Sequence, residues 1–495
     1  MQQWNNMLEL AMLGTGKNNI DTIAMADEAI QSVAKMIAAN EAIDAEEKYL
    51  QLAAVVFNYK QMGALPALQT EIAANEAAAE ILPTCNAAQT QILKDTLNEE
   101  NKALLQSWFT KCAEKKLIVE PALIPALFDI ARQNKKLQTN IVSCCGNRGA
   151  WMMQYQTDWQ FAKADTDDTL WQLGILEQRI QALNNKRTTA PDEAREWITA
   201  TWPTEDAATK LEFLKVMQLN INEKDIDFLE SLQNEKSKKV KEEAIILLKK
   251  IPESKMVQQF MSLLKTAVSL RKEKTMLGLS SKMVLDINLP SQFDEVIFKY
   301  GIEKLSSSKA ISDNAFILQQ LIRSVPPVFW ENHLQLSPQA IIEQLENTPS
   351  HKIYAEALAT ATANFNNRQW AVAFQQHSNI FYEAIVPLLT NEQLEKYSKK
   401  YFTGNERIFV NYSTEQHVEW SHAFALKILT HTAGLPYEYN KSFYGNNINC
   451  IPVSVASDLL YSMPKEEYSK ITWTNQMEYI KKLLLIKSQT IKSFS

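Results

Sequence analysis

NEKSKKVKEEAIILLKKI, residues 234–251, carries Val240, Ala244, Leu247, Leu248 and Ile251 on one side of a 3.6-residue period. The other side is mostly lysine and glutamate, so the segment reads as an amphipathic helix. The polar turns beside it cannot cover such a stripe, so another helix must. The flanking sequence supplies candidates at regular spacing. APDEAREWITATW (190–202) and PTEDAATKLEFLKVMQLN (203–220) form one helical pair. NEKDIDFLESLQ (222–233) and residues 234–251 form the next, and PESKMVQQFMSLLKTAVSLRKEK (252–274) continues as a helix. Equivalent starts recur about every 31 to 33 residues, joined by short polar turns. Stacked pairs that bury one another's stripes make an α-solenoid.

The order of residues within the unit resembles a HEAT repeat. It has an Asn-initiated turn at Asn234, then Val240-Lys241, Ala244 and Leu247-Leu248, with lysine where arginine is usual at 241. Composition agrees with an all-α chain. Only 11 glycines and 16 prolines punctuate 495 residues, which favours long helices over a turn-rich β protein. An apolar share of 46% is that of an ordinary globular protein, and the length calls for several subdomains or an array.

Working outward, EEKYLQLAAVVFNYKQMG (46–63) predicts a helix whose stripe is Leu50, Ala53, Ala54 and Phe57, ending at Gly63 with Pro66 beyond. Residues 87–116 predict a helix broken near Asn98, and VEPALIPALFDIARQN (119–134) a third with Pro121 in its first turn. Residues 171–187 predict a single helix. MVLDINLP (283–290) alternates as a strand would, and SVPPVFW (324–330) reads as a rigid connector after a helix around 316–322. Ser413-x-x-Gln416 resembles a capping box for a helix running through Val418 and Ala425 to Gly434. LPYEYNKSFYGNNINCIP (435–452) reads as a loop, and the last helix carries a basic face. The organisation expected is a 1–140 N-terminal helical region, a 141–170 Gly/Trp-rich junction and 171–279 HEAT-like repeats. A 280–330 irregular connector and a 331–495 C-terminal helical region complete it.

Motifs with chemistry are few. LGTGK (13–17) lacks the earlier glycine and the Ser/Thr of a phosphate loop, so a helix end is the reading. In HVEWSH, His417 and His422 are five apart rather than four and have no adjacent Glu of the zinc-protease kind. Cys144 and Cys145 are adjacent, and such side chains diverge, so both read as small apolar fillers at a helix end. The five cysteines are odd in number and scattered, as in a reduced cytoplasmic protein. The start has no basic n-region and is not read as a signal peptide, and no long apolar run predicts a membrane span.

Charge is uneven within a net −6. Residues 1–100 hold 14 acidic and 5 basic side chains, whereas 236–274 hold 11 basic and 4 acidic. The basic run could suit an acidic partner or a nucleic acid. Its glutamates and its lack of interleaved aromatics other than Phe260 argue for a solvated face.

CCGNRGAWMMQYQTDW (144–159) concentrates Gly, Arg and Trp, and five of the eleven tryptophans lie between Trp151 and Trp202. Gly146 and Gly149 read as helix-end and tight-turn positions. Arg148 reads as a junction residue pairing with a carboxylate or stacking on a tryptophan.

Several segments together resemble a bacterial family defined only as a domain of unknown function. They are WNNMLELAMLGTGK, VEPALIPALFDIA, GNRGAWM with Asp158-Trp159, LWQLGILEQRIQALNNKR, PDEAREWI, the repeat at 225–252, KYGI (299–302) and VPPVFW. Members are typically encoded beside a SWIM zinc-finger protein, a MoxR-type AAA ATPase and von Willebrand A-domain proteins. The resemblance implies a role beside that machinery and brings no catalytic residues, metal or cofactor.

The expected function is therefore a non-enzymatic helical-repeat scaffold, cytoplasmic, binding protein partners such as the MoxR-type ATPase or the A-domain protein. The candidate surface comprises Gly146, Arg148, Gly149, Trp151, Trp159, Arg179, Arg187 and Arg195, adjoining a ridge of Lys238, Lys239 and Lys241. Two alternatives stand beside it: a nucleic-acid-binding α-solenoid, and an enzyme with a non-local site near Arg148.

Overall fold

The computed structural model describes residues 2–13, 28–62, 76–159, 166–274, 281–288, 290, 292–348 and 351–495. Helices dominate, and one antiparallel hairpin is the only sheet among the described residues. The chain is all-α in class. No described helix is long and apolar enough to cross a membrane. Contacts divide it into two compact units, Met1–Glu76 and Ala77–Ser495.

In the first unit, helices Gln2–Leu13, Glu28–Ala38 and Ala45–Met62 share a small core of Met7, Ile30, Leu52 and Val56. The Tyr49 hydroxyl donates to Met7 O at 2.9 Å. The helix expected here forms, but its buried face is not the stripe read from sequence. Leu50 is 61% and Phe57 44% exposed, while Leu52 and Val56 are sealed. The segment is apolar on both sides, so periodicity alone does not select a face. Gly63, Pro66 and most of LGTGK lie outside the described residues.

In the second unit, polar N-caps begin one helix after another. Asn86 and Gln89 form a reciprocal capping box, and Asn101, Asp206, Ser237, Ser254, Ser312, Ser337 and Ser421 each accept from a backbone amide of the first turn. The break near Asn98 is present: Ala87–Asn98 ends and Lys102–Glu114 begins. Residues 171–187 are not one helix. Asp167–Leu173 stops at Gly174, where a Cβ would lie 2.3 Å from Leu170 O, and Leu176–Thr189 starts afresh.

Leu176–Thr189 packs on Pro191–Thr201 and Ala207–Met217, and Lys238–Leu248 packs on Ala207–Met217 and Ile226–Ser231. Val240, Ala244, Leu247, Leu248 and Ile251 are all buried, as the stripe requires. Helix Lys255–Ala267 ends earlier than expected. SLRKEK belongs to β1 (Val268–Lys274), which pairs with β2 (Ser281–Ile287), Val268 opposite Ile287 and Leu270 opposite Leu285. These apolar residues face helix Pro338–Asn347 and its neighbours, while Arg271 pairs with Asp286 at 3.6 Å on the other face.

The 280–330 stretch also holds helices Glu295–Lys299 and Asp313–Arg323, and VFW opens helix Val328–Leu334 rather than ending a connector. Ser413 is buried inside helix Glu406–Glu415, so it caps nothing; Ser421 caps His422–Ala433 instead. Helix Lys441–Asn446 interrupts the expected loop at 435–452.

The last helix, Glu467–Ser493, lies against Ala87–Asn98 and Lys102–Glu114, the first helices of the same unit. Phe494 meets Trp108 edge-on at 5.4 Å. Gln89 Nε2 donates to Ser493 O (2.9 Å), Asn101 Nδ2 to Gly445 O (3.0 Å) and Asn449 Nδ2 to Ala103 O (3.0 Å). Lys482 pairs with Glu99. The buried Lys487 ammonium donates to Glu419 Oε2 (2.6 Å), Ile451 O (2.7 Å) and Asn449 O (2.9 Å).

The corrected face of Ala45–Met62 is directly testable. Leu52→Ala is expected to cost about 2–5 kcal/mol, and Leu50→Ala to stay within about 0.5 kcal/mol, in denaturant titrations of the first unit's unfolding. Equal effects at the two positions would contradict the assignment.

Candidate functional site

Arg187, expected on a partner surface, is in the interior. Its side chain and that of Asp225 are both 0% exposed. All five guanidinium N–H groups are used. Nε donates to Leu219 O (2.9 Å), Nη1 to Pro191 O (3.1 Å) and Asp225 Oδ1 (3.2 Å), and Nη2 to Met217 O (3.0 Å) and Asp225 Oδ2 (2.9 Å). Asp225 also accepts from Arg195 Nη1 at 3.2 Å and from the Asn222 amide at 3.1 Å. Arg195 reaches Asp192 as well, which Lys224 closes at 2.6 Å. The Lys224 hydrogen bond, with Arg195 behind it, holds the Asp192 carboxyl below the usual carboxylate range.

Arg179 is likewise engaged. It sits over Trp171 (4.6 Å) and Phe213 (5.0 Å) and binds Glu205 through Nη2 at 2.5 Å and Nη1 at 3.3 Å. Trp171 stacks on Trp197 at 5.4 Å. One pair further on the same set recurs. Lys210 sits over Trp202 at 5.1 Å and binds Glu235 at 2.9 Å, and Trp202 meets Phe228 at 5.1 Å. Trp202 Nε1 also donates to Glu235 at 2.7 Å. The Lys210 hydrogen bond leads in holding the Glu235 carboxyl below its ordinary range. The positions map by subtraction: 202 − 171 = 31, 210 − 179 = 31, 228 − 197 = 31 and 235 − 205 = 30.

The Gly/Trp-rich junction is a separate place. Helix Lys135–Ser143 ends at Cys144, Gly146 turns the chain with φ +60°, and helix Gly146–Met153 follows. The Glu80 carboxylate crosses the new N-terminus, accepting from the amides of Asn147 and Arg148, each at 2.8 Å. Asn147 Nδ2 donates to Ala79 O at 2.7 Å. A Cβ on Gly146 would lie 2.3 Å from Glu80 Oε2. Gly149 is not at a turn but inside the helix, buried against Cys145 and Phe128.

Arg148 meets a carboxylate only through its backbone amide. Its side chain is exposed and makes no ion pair among the described residues. Trp151 packs on Tyr155 at 5.0 Å. Trp159 packs on Phe128 at 5.5 Å and donates to Asp129 at 3.1 Å. Lys238 and Lys239 are exposed and Lys241 half-buried, with Lys238 loosely paired to Glu242 at 3.7 Å. The eleven candidates thus fall into a junction group, an interior group of arginines and a lysine ridge.

Other sequence motifs resolve structurally. His422 pairs with Asp458 (2.9 Å) and Ser454 (3.0 Å). The five cysteines are free and buried. Three are not scattered in space: Cys85 Sγ lies 3.6 Å from Cys112 Sγ, and the Cys112 thiol in turn meets Cys144. Burial pushes the Cys145 thiol up. Sequence reasoning missed Glu80, Glu205, Asp225 and Glu235. Of these only Asp225 had a local signal, as the fourth residue of an Asn-x-x-Asp helix start.

These features define a mostly helical protein of the all-α class whose charged and aromatic side chains brace successive helices. The chain belongs to the family of unknown function DUF5691, whose profile matches residues 6–494. No curated protein and no solved structure matches it.

Asp225→Ala strands a buried guanidinium and is expected to cost about 3–5 kcal/mol, read as a lowered denaturation midpoint. An unchanged midpoint would show the pair to be dispensable. At the junction, Gly146→Ala is expected to cost more than about 1 kcal/mol through its left-handed backbone, and Arg148→Ala less than about 0.5 kcal/mol. Thermal unfolding of the two variants side by side measures the order.

Proposed function

We propose that the chain is a non-enzymatic, cytoplasmic helical-repeat scaffold that binds protein partners. The MoxR-type AAA ATPase and the von Willebrand A-domain protein of the resemblance are the partners of choice. The recurring Trp–cation–aromatic–carboxylate brace supports reading the 171–279 region as stacked HEAT-like pairs.

One observation carries the binding reading. Tyr437 and Tyr468 stack face to face at 5.5 Å while 84% and 56% exposed. Ile471, one turn after Tyr468 on helix Glu467–Ser493, is also exposed. Large apolar side chains adjacent to one another in water favour a partner surface, and tyrosines are typical interface anchors. Arg179, Arg187 and Arg195 drop out of the surface expected around Arg148, because each is committed within the fold.

Purified ATPase and A-domain protein, each offered to the immobilised full chain, test the proposal. At least one is expected to bind the wild type, with affinity at least tenfold weaker for Tyr437→Ala/Tyr468→Ala at unchanged melting temperature. Failure of both to bind would refute these partners, and an unaffected double variant would refute the patch.

A further inference from the structure

Helices Asn391–Tyr401, Glu406–Glu415 and His422–Ala433 pack in sequence and enclose an open cleft of about 520 Å³. That volume lies within the range of small-molecule sites. Lys399, Lys400 and Lys427 line it, against a single carboxylate, Glu406. Elsewhere on these helices cations are matched, as in Lys396 with Glu392 and Arg407 with Glu438. Here they are not.

Neither Lys399 nor Lys427 makes an ion pair among the described residues, and Lys427 donates one long hydrogen bond, 3.4 Å, to Ser398 O. Lys400 is tethered to Ser378 O (2.8 Å) and Asn379 Oδ1 (3.2 Å) and contributes charge alone. Glu406 is steadied by the backbone amides of Gly404 and Glu406 and stands near His431.

Two further features point to an occupant. His431 lines the cleft, and its Nε2 is buried with no hydrogen-bond partner among the described residues. A buried ring nitrogen left unpartnered costs stability until something hydrogen-bonds to it. Phe402 lies beside it, ring centroids 6.3 Å apart, with the Lys427 ammonium 5.7 Å above the Phe402 ring. Excess positive charge, a ring nitrogen and Thr403, whose hydroxyl has no hydrogen bond among the described residues, line the cleft together with Phe402.

From this we infer that the cleft binds a small organic phosphate monoester. Its phosphoryl group is held between the ammonium groups of Lys399 and Lys427, with His431 Nε2 and the Thr403 hydroxyl completing its hydrogen bonds. Its organic part lies on Phe402. Three non-bridging oxygens match this spread of donors better than the two of a carboxylate. The assignment is independent of any protein partner.

Calorimetric titration of the full chain with phenyl phosphate tests it, with inorganic phosphate and benzoate as parallel probes. Phenyl phosphate is expected to bind saturably and more tightly than either. Lys399→Ala/Lys427→Ala removes two exposed side chains and is expected to weaken phenyl phosphate binding at least tenfold at unchanged melting temperature. Lys352→Ala/Lys441→Ala, outside the cleft, is expected to leave it unchanged. Absent or non-saturable phenyl phosphate binding, or equal binding by both double variants, would overturn the site. Tighter binding of benzoate would overturn the phosphoryl assignment, and equal binding of inorganic phosphate would overturn the role of Phe402. Should the double variant unfold, Lys399→Gln and Lys427→Gln singly carry the same comparison.

Discussion

The buried Arg187–Asp225 pair is the constraint on which the packing of helices between residues 176 and 248 depends. Two charges removed from water are costly, and attraction alone does not offset the cost. Here the surroundings complete the compensation. Arg187 faces the last carbonyls of helix Ala207–Met217 and its following turn, where the helix dipole favours a cation. Asp225 stands at the start of the next helical pair and accepts its own capping amide from Asn222. Each charge therefore sits at the helix end that prefers it. Three consecutive elements can meet at this point in one register, because any slip would leave five donors or a carboxylate unmatched.

The same logic extends to the neighbouring helices in weaker form. Trp171, Arg179, Trp197 and Glu205 make one brace, and Trp202, Lys210, Phe228 and Glu235 the next. Advancing by 31 again reaches Gln233, Lys241, Gln259 and Thr266, which cannot build it. The series stops where the chain turns into the β hairpin. The tryptophans between 151 and 202 are thus distributed over several local braces rather than gathered in one place.

What was legible in the sequence follows from how local each signal was. The stripe of 240–251 was readable because its opposite side is mostly lysine and glutamate. The face of Ala45–Met62 was not, because Leu50, Leu52, Val55, Val56 and Phe57 put apolar groups all round. β1 was mistaken for helix because only Val268 and Leu270 mark its period, and its partner strand is remote in sequence. Ser413 matched a cap pattern that its burial inside a helix overrides, and Ser421, next to Trp420 whose amide donates to Cys450 O at 2.8 Å, is the residue that caps. Arginines at 179, 187 and 195 looked like surface anchors because the buried or half-buried carboxylates that hold them, Glu205 and Asp225, lie 26, 38 and 30 residues away in the chain. The cleft holding His431 was invisible for a related reason: three helices contribute to it, and none carries a motif.

The contact between the last helix and the first helices of the second unit governs the order in which the unit can fold. Gln89 and Ser493 are 404 positions apart, as far as any hydrogen-bonded pair in the unit. On a growing chain, the apolar face containing Leu104 and Trp108 emerges hundreds of residues before Phe494 arrives to cover it. An array with purely neighbouring contacts can set each pair as it appears. Here the entropy of closing the longest loop is met only at the end, so the final packing step is the slow one. Until then the early helices carry an uncovered hydrophobic surface, and chaperone protection is most needed over that interval.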